Sequence, residues 1–308
     1  MDNIYEASQR NKIKSTILVI LFLLFSALVI YVIINAIGIY LGYEPGGLSY
    51  LGIALIFSGV STYVSYYYSD RIILKISGAR PADRNKEFNF YTISENIALA
   101  TGMPRPKLYV IEDTAPNAFA TGRNPENAVV CATTGLLSKL NRTELEGVIA
   151  HEFSHIKNYD IRLMSLVSVL VGTIALLADW FLRMDLHARR GDKKSGQLDM
   201  LFMVLGILFA IVSPIIAKVI QLAISRRREF AADASSVAIT RQPNGLMSAL
   251  KKIAEDHEPL EAANKATAHL YIENPFKERI GGARGIFSNL FNTHPPVEKR
   301  IEALSKMI

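Results

Sequence analysis

The stretch from Ser15 to Ile37 is almost unbroken apolar sequence, and a second such run extends from Leu48 to Tyr68. About 20 apolar residues carry a helix across a ~30 Å hydrocarbon core, so each run is long enough to span. An apolar fraction of 50 % and a positive mean hydropathy point the same way. The first run lacks the small-residue cleavage site of a removable signal peptide and is read as retained. In the second, Ala54, Ser58, Thr62 and Ser65 form a stripe of small residues, suited to close packing on the first helix.

Flanking charges set the expected orientation. Arg10, Lys12 and Lys14 precede the first run, residues 38–47 contain no Lys or Arg, and Arg71, Lys75, Arg80, Arg84 and Lys86 follow the second. Because cytoplasmic flanks carry the Lys/Arg excess, the N-terminus and the chain after Tyr68 are both expected in the cytoplasm. Much of the net charge of +6 is juxtamembrane, and no basic patch with interleaved aromatics points to nucleic acid. The single cysteine, Cys131, excludes an intramolecular disulfide and a Cys-rich metal site. In its apolar run it reads as a buried strand residue.

Four pieces are expected. Residues 1–68 form a membrane hairpin, and residues 69–163 a polar, mixed α/β stretch. There a helix is expected over Asn85 to Thr101, with Ile93, Ile97 and Leu99 on its apolar side, and a strand over Lys107 to Glu112. Two further strands, Asn117 to Gly122 and Ala128 to Thr134, are joined by the turn 123–127. Asn141 and Glu144 have capping-box spacing, with Asn in place of the usual Ser or Thr. They open a helix in which Leu145, Val148 and Ile149 face the core.

Residues 164–224 hold two more apolar runs, Met164 to Leu182 and Leu198 to Ile224. Their connecting loop carries Arg183, Arg189, Arg190, Lys193 and Lys194, against the charge rule for a spanning pair. Either the pair spans despite that bias, the reading favoured by its length, or it is an amphipathic pair packed on the polar domain. Both return the chain to the same side of the membrane. Residues 225–308 are polar and mainly helical, beginning with Arg226 to Arg228, read as a headgroup anchor.

The chemistry lies in His151-Glu152-Phe153-Ser154-His155. Imidazoles at i and i+4 share one helix face and can grip one Zn²⁺, while Glu152 is placed to act as general base. A third protein ligand is needed. Glu229 suits that role, and Asp233, one turn on, can accept a hydrogen bond from the far nitrogen of a ligand histidine.

The sequence resembles the HtpX family of membrane-bound heat-shock zinc endopeptidases, among the HExxH-plus-Glu metallopeptidases (gluzincins). The resemblance covers nearly the whole chain. It rests on the N-terminal hairpin, Ala115 to Arg123, Thr134 to Leu136, Glu144 to Asp160, Glu229 to Asp233, and Thr293 to Pro296 with Arg300 and Ile301. It implies a mainly α fold with a small β-sheet (an α+β zincin-like catalytic domain) plus transmembrane helices. By the same resemblance Asn117, Ala118, Phe119, Ala120, Thr121 and Gly122 form an edge strand that binds substrate main chain. His294 and Arg300 are implied near the site. Their chemistry suits oxyanion stabilisation, while a turn role for His294 and a salt bridge for Arg300 stay open.

The expected activity is therefore cleavage of misfolded or damaged membrane proteins on the cytoplasmic side of the inner membrane, with one zinc per chain. Prenyl-peptide processing is the enzymatic alternative. A zinc-stabilised membrane scaffold is the non-enzymatic one, disfavoured because a structural site needs no base.

Overall fold

The computed structural model describes residues 4–40, 47–173, 226–263, 267–275 and 295–307. The chain is mostly helical with one small mixed sheet. Two long helices come first, α1 (Ile4–Tyr40) and α2 (Gly47–Tyr67), packed along each other. The small-residue stripe of α2 is buried, Ala54 and Ser58 completely, while Ile56, Phe57 and Val60 on the same helix are exposed. Among the described residues, most of the large apolar side chains left exposed belong to these two helices. Water does not favour so continuous an apolar surface, and lipid does. Among the described residues one helix is long and apolar enough to cross a membrane, Asn11–Asn35. The expected hairpin at 164–224 lies outside the described residues beyond 173.

The short amphipathic α3 (Ser69–Ile76) leads from the long helices into the sheet. The strands are β1 (Arg80–Pro81), β2 (Lys107–Ile111), β3 (Ala118–Gly122) and β4 (Ala128–Thr133), in the order β1-β2-β4-β3. β4 runs parallel to β2, with Tyr109 opposite Cys131, and antiparallel to β3, with Phe119 opposite Cys131. Strand side chains alternate faces, and here both faces are covered. Leu108, Val110, Ala118, Ala120, Val130 and Ala132 meet one core, in which Phe90, Ile93 and Ile97 of α4 (Phe88–Thr101) lie with Val148, Ile149 and Phe153. Phe119, Val129 and Cys131 meet the other, with Ile73, Leu74, Leu270 and Tyr271. Leu99, expected with the apolar side of α4, is 82 % exposed instead. Six residues after Ile93 it stands far round the helix from Ile93 and Ile97.

After α5 (Thr134–Lys139), helix α6 (Arg142–Lys157) runs beneath the sheet. Its start is the expected capping box: the Asn141 side chain accepts from the Glu144 N–H, and Glu144 accepts from the Asn141 N–H. Glu144 also receives Lys252 Nζ at 2.8 Å, tying the cap to α9 (Pro243–Glu255). Close approach holds α6 on α9: a Cβ on Gly147 would lie 2.7 Å from the Leu246 nitrogen, and one on Gly245 2.7 Å from the Thr143 carbonyl. Any larger side chain there would force the helices apart. Tyr159, at φ 58, breaks the chain out of α6. It then re-enters a helix, α7 (160–173), whose Leu163, Val167 and Leu170 pack on Leu18 and Phe22 of α1. Helices α8 (Arg226–Thr240) and α10 (Val297–Ser305) complete the domain beside α6 and α9.

Candidate metal centre

One turn of α6 separates His151 and His155, and both are buried. Their rings stand edge to face at 4.8 Å, which brings the two Nε2 atoms to 3.2 Å. α8 packs across α6 and delivers Glu229, whose carboxylate oxygens lie 3.7 Å from His151 Nε2 and 3.6 Å from His155 Nε2. The three ligand atoms thus form a buried triangle that could hold a metal ion. A tetrahedral ion with bonds of about 2.0–2.2 Å spaces its ligands by about 3.4 Å. The observed edges bracket that spacing.

Each ring is held from behind by a carboxylate. Asp233, one turn along α8 from Glu229, places Oδ1 2.9 Å from His151 Nδ1, and Asp160 places Oδ2 3.0 Å from His155 Nδ1. A carboxylate accepts only, so each ring presents Nδ1–H outward and turns its Nε2 lone pair to the triangle. The donor set therefore fits a divalent ion that prefers nitrogen and oxygen ligands.

Burial pushes His151 below its ordinary pKa, with the Asp233 hydrogen bond pulling the other way. For His155 burial is outweighed by the Asp160 hydrogen bond and the charges of Glu229, Asp160 and Glu152, so its pKa is pushed up to about 9. Burial also works against charge on Asp233, yet the Arg300 guanidinium beside it brings its pKa down to about 2.

The residues from 85 to 308 match the family model described as peptidase family M48. The chain belongs to peptidase family M48. That membership makes it a metalloendopeptidase, and with its apolar helices a membrane-bound one. It is 41 % identical over 308 residues to a protease HtpX homolog of Caldanaerobacter subterraneus subsp. tengcongensis, covering 99 % of this chain and 98 % of that protein. The homolog of Dictyoglomus turgidum is 42 % identical over 306 residues, covering 98 % and 94 %, and that of Tropheryma whipplei strain Twist 39 % over 303, covering 98 % of each. A crystal structure of S. mikatae Ste24p matches with a TM-score of 0.48 at 19 % identity, covering 83 % of this chain and 58 % of that one.

Within this M48 domain Glu152, which follows His151 on α6, is buried, and its charge is felt at His155. Arg300, for which oxyanion contact and a salt bridge were both open, makes the salt bridge. It is fully buried, donating from Nε to Asp233 Oδ2 at 2.9 Å, from Nη2 to Oδ1 at 2.6 Å, and from Nη1 to the Ile272 carbonyl at 3.2 Å. Its Nη1 also lies 4.0 Å from Glu229 Oε2. His294 is outside the described residues.

β3 stands at the sheet edge against α6, and Asn117 immediately precedes it. Ala118, Ala120 and Gly122 share the orientation away from β4. There Ala118 O accepts the Ile272 N–H at 2.9 Å, and Gly122 N–H donates to Ser165 Oγ at 3.1 Å. Asn117 bridges to Glu273, donating from Nδ2 to its carbonyl at 3.1 Å.

Three residues with no assigned site role meet behind His155, at the Asp160 carboxylate. Asp160 is one, and Arg228, read as a headgroup anchor, donates to Asp160 Oδ1 at 3.3 Å. The third is Asn11, which donates to the same oxygen at 2.7 Å. The sequence signs of Asp160 were its place at the end of the Glu144 to Asp160 motif and its spacing five residues beyond the second histidine. Nothing in the sequence marks Asn11.

Proposed function

We propose that the protein is a zinc endopeptidase of the inner membrane that hydrolyses cytoplasmic-side segments of misfolded or damaged membrane proteins, serving quality control under stress. The observation that carries this reading is the His151–His155–Glu229 triangle with Glu152 beside it. Three protein ligands leave one coordination position open, the arrangement of catalytic rather than structural zinc. When bound, zinc supplies Lewis acidity toward a scissile carbonyl and toward water. Glu152 takes the proton of the attacking water and delivers it to the leaving amine, a role worth about 10²–10⁴-fold in rate.

Asp233 and Asp160 hold the ligand rings in the tautomer that binds metal. Arg300, committed to Asp233, is assigned to holding that carboxylate rather than to the oxyanion. His294 is assigned to the oxyanion on family resemblance. Substrate main chain adds to β3 at Ala120, between the bonds that Ile272 and Ser165 make to the strand. Main-chain pairing gives affinity with little side-chain preference, as a protease of unfolded segments needs. The exposed apolar side chains of α1 and α2, with the flanking charges, support a multi-pass anchor with the N-terminus in the cytoplasm, and the relatives named as proteases support the activity.

The test uses the full chain in lipid nanodiscs. Metal analysis should find one zinc per chain, and an unfolded membrane protein should be cut while its folded form is spared. Chelation should stop the reaction and zinc restore it. A zinc-loaded protein that leaves the unfolded substrate intact overturns the reading in favour of a scaffold.

A further inference from the structure

We propose that the membrane helix α1 is a working part of the metal centre: Asn11 is a positioning residue for the ligand His155, acting through Asp160. The inference rests on the metal-centre reading above.

Asn11 is the first residue of the apolar span and is only 4 % exposed. Beyond it α1 packs on α7 through apolar side chains, Leu18 and Phe22 against Leu163 and Val167. A helix needing only to adhere there would carry an apolar residue, since a buried amide costs stability unless it is bonded. This amide is bonded in three directions. Nδ2 donates to Asp160 Oδ1 at 2.7 Å and to the Asn158 carbonyl at 3.0 Å, while Oδ1 accepts from Arg228 Nη1 at 3.2 Å.

Three distant parts of the chain therefore converge. They are the start of the span, the turn at 158–160 that leaves the ligand helix, and the residue next to the ligand Glu229. The turn is gripped a second time, by Lys12 Nζ 4.2 Å above the Tyr159 ring. Asp160 engages Asn11 and Arg228 through Oδ1 and His155 through Oδ2. Fixing one carboxylate oxygen fixes the plane of the other, and so the aim of the imidazole. Partners at this remove from a metal typically change its affinity about 10–100-fold when lost.

The experiment compares the parent, Asn11→Leu and Ser15→Ala as full chains in nanodiscs. Ser15 is also buried on α1, but its hydroxyl bonds only to the Asn11 carbonyl of its own helix. Zinc affinity is read by competition with a chromophoric chelator, and ligand geometry by the visible bands of the cobalt-loaded protein. Asn11→Leu should weaken zinc about 10–100-fold and shift the cobalt bands, with Ser15→Ala matching the parent in both. Asn11→Leu with parental affinity and spectrum overturns the inference and leaves the metal centre standing. Equal losses in both variants also overturn it, by reducing Asn11 to general packing. A parent that takes up no metal overturns the metal-centre reading and this inference with it.

Discussion

The two candidate ligand histidines sit one turn apart on the same helix, yet they are held by different regions of the molecule. His151 leans on Asp233 and Arg300, both within the polar domain and both essentially inaccessible to solvent. His155 leans on Asp160, whose own partners are Asn11 from the membrane helix and Arg228, the latter partly exposed. The first support is inherited from the fold of the domain. The second depends on how the domain sits on its anchor. On the proposed function, one ligand is then set by the core and the other is tied to the anchor.

Glu152→Gln gives the largest effect and tests whether the two supports serve one reaction. Metal should be retained while peptide cleavage falls about 10²–10⁴-fold, measured on a quenched peptide alongside metal analysis. Parental turnover by a metal-loaded variant would remove the general base from the mechanism.

Asp233→Ala comes next, because it strands a buried guanidinium. Loss of one member of a buried pair costs about 3–5 kcal/mol, so the thermal midpoint should drop and metal binding weaken together. An unchanged midpoint would mean that the inner support carries no structural weight.

Asp160→Asn should separate the two effects. Its cation partner Arg228 reaches solvent, so stability should change little while metal affinity falls about 10–100-fold in chelator competition. Equal stability losses for the two aspartates would abolish the contrast between the supports.

The smallest effect is on pH. His155, with its pKa raised to about 9, must lose a proton before it ligates. Metal affinity should therefore rise about tenfold per pH unit up to about 9 and then level off. In Asp160→Asn the levelling point should move to lower pH, since Asp160 is a main cause of the upward shift. A levelling point that does not move would assign that shift to the other carboxylates.

What was legible in the sequence was local. The capping box at Asn141 and Glu144, the ligand spacing on α6, the strands near 107, 118 and 128, and the small-residue stripe of α2 all rest on residues close in the chain. Glu229 and Asp233 were readable because a helix puts them on one face. Long-range partners were not. Arg300 meets Asp233 across 67 residues and Asn11 meets Asp160 across 149, and no periodicity encodes such a meeting. The Arg228 contact to Asp160 was hidden for the same reason: a run of three arginines beside an apolar stretch looks alike whether its last member faces headgroups or a buried carboxylate. Leu99 shows the opposite error, an apolar residue assigned inward by identity when helical phase puts it outside.

The supports of the two histidines also set an electrical requirement. Glu152, Glu229, Asp233 and Asp160 bring four negative charges to the centre, and Arg300 and Arg228 return two positive ones. With both imidazoles neutral, these six described groups leave a deficit of two positive charges, the charge of one divalent ion. A proton held on His155 makes good half of that deficit. Proton and metal are thus rivals for the same vacancy of charge, and gain or loss of the ion recharges the interior where the domain meets its anchor.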